Sequence, residues 1–285
     1  MSRLRISAIS FLNTAPLMWN FEFGCRRESL LAQFDVAYTI PSRCAEMLAE
    51  GLADIGIIPV AAYASIHGLK ILPDVAIASK AAVRSILLVS EHPLDRIQRV
   101  ALDSSSRSSA ALVRVLFAKH WKREVQFVEA EPRLEAMLAK QDAALLIGDP
   151  ALQVDRSRYQ TWDLAEEWRR FSGKPFVFAF WAARPGAADD DALSAAAELF
   201  SESRDEGLRH VNEIASKWAP KLSISPELIE SYLRENVHYH LDSENTQGME
   251  LFFRLAAELG ILPYPPELRF ARELEFRNSG SRNRF

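Results

Sequence analysis

The stretch "FDVAYTIPSRCAEMLAEGLADIGIIPV" (residues 34–60) decides the fold, because a second stretch, "REVQFVEAEPRLEAMLAKQDAALLIGDP" (residues 123–150), repeats its pattern. Each stretch predicts a strand, a turn, a helix, a short turn, an aspartate and a buried strand. Both predicted helices contain the run Met-Leu-Ala. The aspartate before the buried strand is Asp54 in the first copy and Asp142 in the second.

The segments that precede the two copies also match each other. "RLRISAISFLNTAPL" (3–17) and "RVALDSSSRSSAAL" (99–112) each predict a strand, then a polar loop, then the apolar start of a helix. Self-similarity at this scale predicts two comparable α/β lobes. Alternating strands and helices favour mainly parallel sheets, with ligands at the carboxyl ends of the strands. The alternative is a chance likeness between two βα units.

The chain is expected to pass twice between the lobes. "VRSILLVSEHP" (83–93) predicts the strand that leads to the second lobe, and "KPFVFAFWAAR" (174–184) the strand that returns from it. The pattern is helical after the return strand, and a disordered tail is predicted at 277–285. We therefore expect one discontinuous lobe, residues 1–88 plus 183–285, with a second lobe, 89–182, inserted in it. Such lobes form a cleft that can close on a small ligand, and we expect the active site there.

Composition and charge disfavour several classes of function. The chain has 285 residues, 48% of them hydrophobic, and a net charge of −4, which disfavours a nucleic-acid partner. Cys25 and Cys44 have no metal-ligand spacing and form no disulfide framework, as is typical of the reducing cytoplasm. No apolar run reaches membrane-spanning length, and polar residues interrupt the N-terminal stretch that could imitate a secretory signal. We expect a soluble cytoplasmic protein, monomeric or homodimeric, with no membrane partner.

A serine-rich stretch, "VALDSSSRSSAALVRVLF" (100–117), follows the first strand of the second lobe. Serine is a poor residue for a helix interior but a good helix N-cap. Several serines before a helix gather hydroxyl and free backbone N–H groups around one electropositive point, which suits an anion. The alternative is a polar loop in which one serine caps the helix.

Several motifs together resemble the chorismate dehydratase family of the futalosine route to menaquinone. They cover most of the chain and are "RISAISFLNTAPL", "PSRCAEMLAEGLADIGIIPVAAY", "VRSILLVS", "ALDSSSRSSAAL", "LLIGDPAL" and "FVFAFWA". The resemblance implies a two-lobed type II periplasmic-binding-protein fold, with two mixed, mainly parallel sheets flanked by helices, in a cytoplasmic enzyme. The sister enzyme, 1,4-dihydroxy-6-naphthoate synthase, has a cysteine-proline-asparagine-aspartate loop after its first strand. This chain has "SFLNTAPL" there, which favours the dehydratase.

The resemblance implies the removal of water from chorismate, which gives 3-(1-carboxyvinyloxy)benzoate. This reaction needs charge stabilisation, orientation and a base, with no cofactor and no metal. In agreement, the histidines of "HYH" (238–240) have no third ligand at a typical spacing. The motifs offer no general base. We therefore hypothesise that the enolpyruvyl carboxylate of chorismate removes the ring proton itself.

The same resemblance assigns roles to individual residues. Asn13 and Ser85 are the expected catalytic residues, with loop capping and a backbone-satisfied hydroxyl as their structural alternatives. Six residues are expected to bind substrate: Ser106, Arg107, Ser108, Ser109, Gly148 and Asp149. Arg107 has an inter-lobe ion pair as its alternative, and Asp149 a helix N-cap. The N–H of Gly148 is expected to face the cleft.

Other functions remain open at this stage. A two-lobed receptor for a small anion would share the fold, although such receptors normally work outside the cytoplasm. The sister synthase and the ligand-sensing domain of a regulator are the other candidates. A regulator would need a DNA-binding segment, and the sequence shows no basic helix to support one.

Overall fold

Two five-stranded sheets organise residues 3–271, the part of the chain that the structure, a computed structural model, describes. The first sheet has the order β2 (Phe34–Thr39), β1 (Leu4–Ile9), β3 (Ile55–Pro59), β10 (Phe176–Ala183) and β4 (Lys70–Ser79). The second has the order β7 (Gln126–Ala130), β6 (Arg99–Asp103), β8 (Ala143–Ile147), β5 (Ile86–Ser90) and β9 (Gln160–Asp163).

Each sheet is mixed but mainly parallel. In the first sheet β10 pairs antiparallel with both neighbours, and in the second sheet β5 does the same. The remaining pairs, between β1, β2 and β3 and between β6, β7 and β8, are parallel. The predicted α/β class with two mixed sheets is therefore confirmed.

Helices cover the sheets. Those of residues 3–271 are α1 (Trp19–Glu22), α2 (Arg27–Gln33), α3 (Pro41–Ala49), α4 (Val60–Tyr63), α5 (Ser108–Val115), α6 (Leu134–Leu138), α7 (Gly148–Leu152), α8 (Leu164–Ser172), α9 (Asp190–Arg209), α10 (Val211–Leu222), α11 (Pro226–Ser231) and α12 (Ser243–Glu258). Their starts follow the sequence: Asp163 caps α8, and Ser225 caps α11 with Pro226 in its first turn. None of these helices is long and apolar enough to cross a membrane.

The repeat seen in the sequence is also a repeat in hydrogen bonding. A carboxylate oxygen of Asp54 accepts from the Arg5 backbone N–H, and one of Asp142 accepts from that of Arg99, both at 2.9 Å. Each aspartate also donates its own N–H to the carbonyl of the same arginine. The aspartates therefore fix the start of the buried strand against the first strand in both lobes. Burial alone would raise the pKa of Asp54, but hydrogen bonds from Arg5 and Arg184 lower it to about 2.

The two sheets share one large hydrophobic core. It contains Ile58 and Phe180 from the first sheet together with Leu88 and Leu145 from the second. The division into lobes at 88/89 and 182/183 stays a proposal. Sheet membership favours connections at 80–85 and 173–175, because β5 pairs within the second sheet and β10 within the first. The predicted disordered tail, 277–285, lies outside the described residues.

Candidate functional site

A cavity of about 40 Å³ lies where the carboxyl ends of the parallel strands of the two sheets face each other. It is far smaller than an ordinary ligand pocket of about 300–1,000 Å³. Its lining includes Asn13, Ser106, Arg107, Ser108, Ser109 and Gly148, six of the eight predicted site residues. Ser85 and Asp149 lie beside Gly148 but do not line the cavity; Ser85 bonds to Tyr232 and Asp149 to Leu12.

The serine loop (residues 104–109) is braced by Asp103 of its own lobe. Asp103, only 1% exposed, accepts from the N–H and the hydroxyl of Ser105 and from the N–H of Ile147. The hydroxyl oxygen of Ser106 accepts from the Ser109 N–H at 3.2 Å, across the start of α5. Because the first N–H groups of a helix have no partner within it, this end of α5 presents free donors. The loop therefore presents the kind of donors that an anion accepts from.

Ser108 and Ser109 have different hydrogen-bonding roles. The Ser108 hydroxyl donates to the Phe178 carbonyl at 3.1 Å and accepts from the Ala61 N–H at 3.3 Å. It therefore links α5 to β10 and α4, which belong to the first sheet and its helices. The Ser109 hydroxyl has no hydrogen-bond partner among residues 3–271, and this residue also lines the cavity. Of the two hydroxyl groups, that of Ser109 is the one available to a ligand.

Arg107 stands at the outer edge of the cavity and bonds across it. Its guanidinium lies 3.1 Å from a carboxylate oxygen of Glu46 on α3, so the inter-lobe ion pair considered from the sequence is present. Beyond this pair the space widens into an open cavity of about 690 Å³, also lined by Ser104 and Arg114. The pair therefore separates the inner cavity from an open vestibule.

Gly148 brings the two lobes into close contact. Its φ is +62°, and a Cβ at this position would lie 2.6 Å from the ring of Phe11. Its N–H donates to the Ser85 carbonyl at 2.7 Å. The expectation that this N–H faces the cleft is therefore wrong, since the N–H is bonded to Ser85, the residue before β5. The absence of a side chain is what the position requires.

Asp149 connects the second lobe to the first. A carboxylate oxygen accepts from the Leu12 N–H at 3.0 Å. The helix α7 begins at Gly148 with Ile147 as its N-cap, so Asp149 is not the cap that the sequence allowed as an alternative. Burial raises the pKa of Asp149 to about 6, against the opposing effect of the Leu12 hydrogen bond. The carboxyl can therefore be neutral in mildly acidic solution.

Ser85 is completely buried at the end of the connecting segment 80–85. Its hydroxyl oxygen accepts from the hydroxyl of Tyr232 at 2.9 Å. The preceding residue, Arg84, has a φ of +64°, and Asp163 holds the N–H groups of Val83 and Arg84 at 3.1 and 2.6 Å. Sequence reasoning missed Tyr232, since "SPELIESYLREN" shows only helical spacing there.

In the stretch "HYH" (238–240) the ring of His238 is paired with a carboxylate. His238 lies 3.2 Å from a carboxylate oxygen of Asp242. Within residues 3–271 no group of three or more histidine, cysteine, aspartate or glutamate side chains could hold a metal ion.

Solved structures share the fold. An Archaeoglobus fulgidus protein matches with a TM-score of 0.77 at 14% identity, over 91% of this chain and 98% of the other. The periplasmic aliphatic sulphonate-binding protein of Escherichia coli matches with a TM-score of 0.65 at 18% identity, over 99% and 98%. The expected periplasmic-binding-protein fold is therefore confirmed.

Sequence comparison shows the family. A chorismate dehydratase of Thermus thermophilus is 30% identical over 256 residues, which is 83% of this chain and 90% of that protein. A family model described as menaquinone biosynthesis matches residues 4–258. With a match that spans both sheets and the cavity between them, the chain belongs to this menaquinone biosynthesis family.

Proposed function

We propose that this protein is a chorismate dehydratase, a lyase that removes water from chorismate to give 3-(1-carboxyvinyloxy)benzoate. One observation carries the proposal: Asn13 from one lobe and the serine-capped start of α5 from the other line the same cavity. The Thermus thermophilus relative carries the same activity in its name. We further propose a cytoplasmic protein, monomeric or homodimeric.

The serine loop suits one of the two carboxylates of chorismate. The ring proton to be lost is vinylogous to the ring carboxylate, so negative charge spreads onto that group as the C–H bond breaks. Hydroxyl and backbone N–H groups that stabilise this charge lower the barrier without changing the charge of the site. Ser106, Ser109 and the first N–H groups of α5 are the donors in this proposal.

The base in this proposal is the substrate. The cavity lining contains Arg107 as its one ionisable side chain and no histidine, aspartate, glutamate or lysine. The enolpyruvyl carboxylate of chorismate then takes the ring proton, and the C–O bond to the hydroxyl breaks as the ring becomes aromatic. The departing hydroxide takes the proton from the enolpyruvyl carboxyl group and leaves as water, which restores the carboxylate. Asn13 and Ser85 orient the reacting part of the substrate and hydrogen-bond the leaving hydroxyl. The protein contributes mainly geometry and charge stabilisation.

Substrate binding requires the lobes to separate. The cavity of about 40 Å³ is too small for chorismate, and contacts across the cleft close it. These contacts are the Arg107–Glu46 pair, the Asp149–Leu12 hydrogen bond and the packing of Phe11 on Gly148. In our proposal chorismate binds to the open form and the lobes close over it, which excludes water from the reaction.

The test is turnover by the purified protein after treatment with a chelator. Chorismate loss and the dehydrated product are followed by mass spectrometry, for the wild type and for Asn13→Ala and Ser85→Ala. Ser90→Ala is the matched control for Ser85, because Ser90 is equally buried on β5 but bonds to the Asp142 carbonyl at the far end of the strand. We expect product from the wild type and the control, and strongly slowed turnover in the other two.

Other outcomes would point elsewhere. Tight binding of chorismate without turnover would indicate a small-anion binding protein. Absence of binding would move the assignment to the sister synthase. A near-normal rate on chorismate with an esterified side-chain carboxylate would contradict the substrate as base.

A further inference from the structure

Tyr232 bonds to Ser85 from a part of the chain far from every motif of the predicted site. It begins a π-helical turn, Tyr232–Asn236, that directly follows α11. Such turns occur frequently at functional sites. The side chain is 1% exposed, and its hydroxyl donates to the Ser85 oxygen at 2.9 Å.

Tyr232 also reaches the other expected catalytic residue. Burial raises the pKa of Tyr232, and the nearby side chains of Ser85 and Asn13 oppose this effect. The Asn13 amide oxygen accepts from the Thr14 hydroxyl at 3.3 Å. Tyr232 is therefore a neighbour of both expected catalytic residues and bonds to Ser85.

The direction of the bond determines what Ser85 can do. A hydroxyl has one proton, so a Ser85 oxygen that accepts from Tyr232 must send its own proton to a different acceptor. Tyr232 is the one hydrogen-bonding partner of the Ser85 hydroxyl among residues 3–271, so in this arrangement the Ser85 proton has no acceptor among them. The proton is therefore free for a bound ligand, and the tyrosine fixes Ser85 as a donor.

The same π-helical turn holds the backbone beside Ser85. The Asn236 side chain donates to the Ala82 carbonyl at 3.0 Å. Asp163 holds the next two N–H groups, and Arg84 is strained at a φ of +64°. Strain of this kind persists only where the surroundings determine the conformation. The turn thus grips both the side chain of Ser85 and the segment that carries it.

We propose that Tyr232 is a positioning residue, which acts through Ser85 by keeping that hydroxyl turned as a donor toward the reacting substrate. This inference rests on the proposed dehydratase function. Neither Tyr232 nor Ser85 lines the closed cavity, but Ser85 directly precedes the lining residue Ile86 and its carbonyl holds the N–H of the lining residue Gly148, whereas Tyr232 bonds to this region through the Ser85 hydroxyl. Removal of its hydroxyl leaves the cavity and its charge unchanged but frees the Ser85 hydroxyl to rotate.

The test compares Tyr232→Phe with Tyr239→Phe in chorismate turnover. Tyr239 is the matched control, because it is also buried and its hydroxyl has no hydrogen-bond partner among the described residues. We expect Tyr232→Phe to lower kcat by about 10²-fold, the size of a misplacement effect. KM should change by less than about threefold, since the interaction acts in the transition state. Tyr239→Phe should keep the wild-type kcat.

The double variant separates positioning from a structural role. Under single-turnover conditions with mass-spectrometric detection, adding Tyr232→Phe to Ser85→Ala should slow the reaction by less than about threefold, because the two residues act as one unit. The inference would be overturned if Tyr232→Phe slowed the reaction as much in the Ser85→Ala background as in the wild type. Equal kcat values for Tyr232→Phe and Tyr239→Phe would also overturn it. If the Tyr232→Phe single variant does not fold, comparing the double variant with Ser85→Ala still tests the inference, because the double variant removes both partners of the bond.

The outcomes also separate the two proposals. A wild type that does not convert chorismate contradicts the dehydratase function and this inference with it. A wild type that converts chorismate, with Tyr232→Phe equally fast, contradicts the inference alone.

Discussion

Asn13 and Arg107 stand at matching positions in the two lobes. Ile6 is the first residue of β1 that pairs with β3, and Val100 is the first residue of β6 that pairs with β8. Asn13 follows Ile6 at the same distance along the chain as Arg107 follows Val100. Yet their surroundings differ. The serine loop around Arg107 ends in a helix whose start is capped by Ser106, whereas the asparagine loop (residues 10–14) forms only a short 3₁₀ turn.

The two loops are also held by different partners. The serine loop is braced by Asp103 of its own lobe. The asparagine loop is held in its own lobe by Ser10, which bonds to the Thr39 carbonyl, and from the other lobe by Asp149, which accepts from the Leu12 N–H. Both loops have contacts across the lobes, but the serine loop keeps its buried Asp103 bonds when the lobes separate, while the asparagine loop loses the Leu12–Asp149 bond. We infer that the first binds the substrate and the second acts on it.

Asn13→Ala should produce the largest effect. The serine loop would still bind the carboxylate, so we expect kcat to fall about 10²–10³-fold, the cost of removing one donor from a charge-stabilising site, while KM changes little. Steady-state kinetics with chorismate measure both constants. Asn212→Ala is the control, since Asn212 is exposed and bonds to Arg234. A rise in KM at unchanged kcat would reverse the roles assigned to the two loops.

Gly148→Ala tests whether the contact between Gly148 and Phe11, which forms when the lobes close, orders the asparagine loop. The new Cβ would meet the Phe11 ring, so we expect kcat/KM to fall about 10²-fold. Gly173→Ala is a matched control: its φ of +69° carries a similar strain, of about 1–3 kcal/mol, but nothing lies within 4 Å of its Cβ. Thermal unfolding should show comparable losses of stability in both variants. Equal activities would mean that the Phe11 contact does not matter.

The comparison also shows what the sequence could predict. The two βα repeats and the helix start after the serines were predictable, because strand periodicity and helix capping are local properties; Asn13 was singled out by the family resemblance, and its role stays a prediction. The roles of Gly148 and Ser108 depend on segments that meet only in the folded chain: the Ser85 carbonyl takes the Gly148 N–H, and the Phe178 carbonyl takes the Ser108 proton. Tyr232 reaches Ser85 across 147 residues, so no local pattern could reveal it.

Ser106→Ala and Ser108→Ala should separate binding from lobe contact within the serine loop. Loss of the Ser106 hydroxyl removes a helix cap, for about 1 kcal/mol, and a donor to the carboxylate, which should raise KM about tenfold. Loss of the Ser108 hydroxyl leaves the Ala61 N–H and the Phe178 carbonyl unsatisfied, for about 1–3 kcal/mol, with a smaller change in KM. Denaturant unfolding and steady-state kinetics measure the two effects. Equal KM values in the two variants would contradict the distinction.

The smallest expected effect is the pH dependence that Asp149 gives to the link between the lobes. Its pKa is raised to about 6, so the carboxyl is neutral below that pH and ionised above it. An added negative charge beside a dianionic substrate weakens binding, so KM should rise about threefold to tenfold between about pH 5 and pH 7. The free energy of unfolding depends on pH in the same direction, because the pKa of Asp149 in the folded protein lies above the unfolded value of 3.8. The stabilising contribution of the neutral carboxyl is complete below about pH 4 and is lost as the pH rises through about 6.

Asp149→Asn should remove this dependence, because an amide stays neutral over the whole range. Asp54→Asn is the comparison variant, since Asp54 has a pKa of about 2 and stays ionised throughout, so its replacement should leave the slope of KM against pH as in the wild type. The measurement is KM between about pH 5 and pH 7 for the wild type, Asp149→Asn and Asp54→Asn. A wild-type KM that does not vary would mean that the Asp149 charge does not reach the substrate. The role of Asp149 would then be its hydrogen bond to Leu12, which links the asparagine loop to the second lobe in either protonation state.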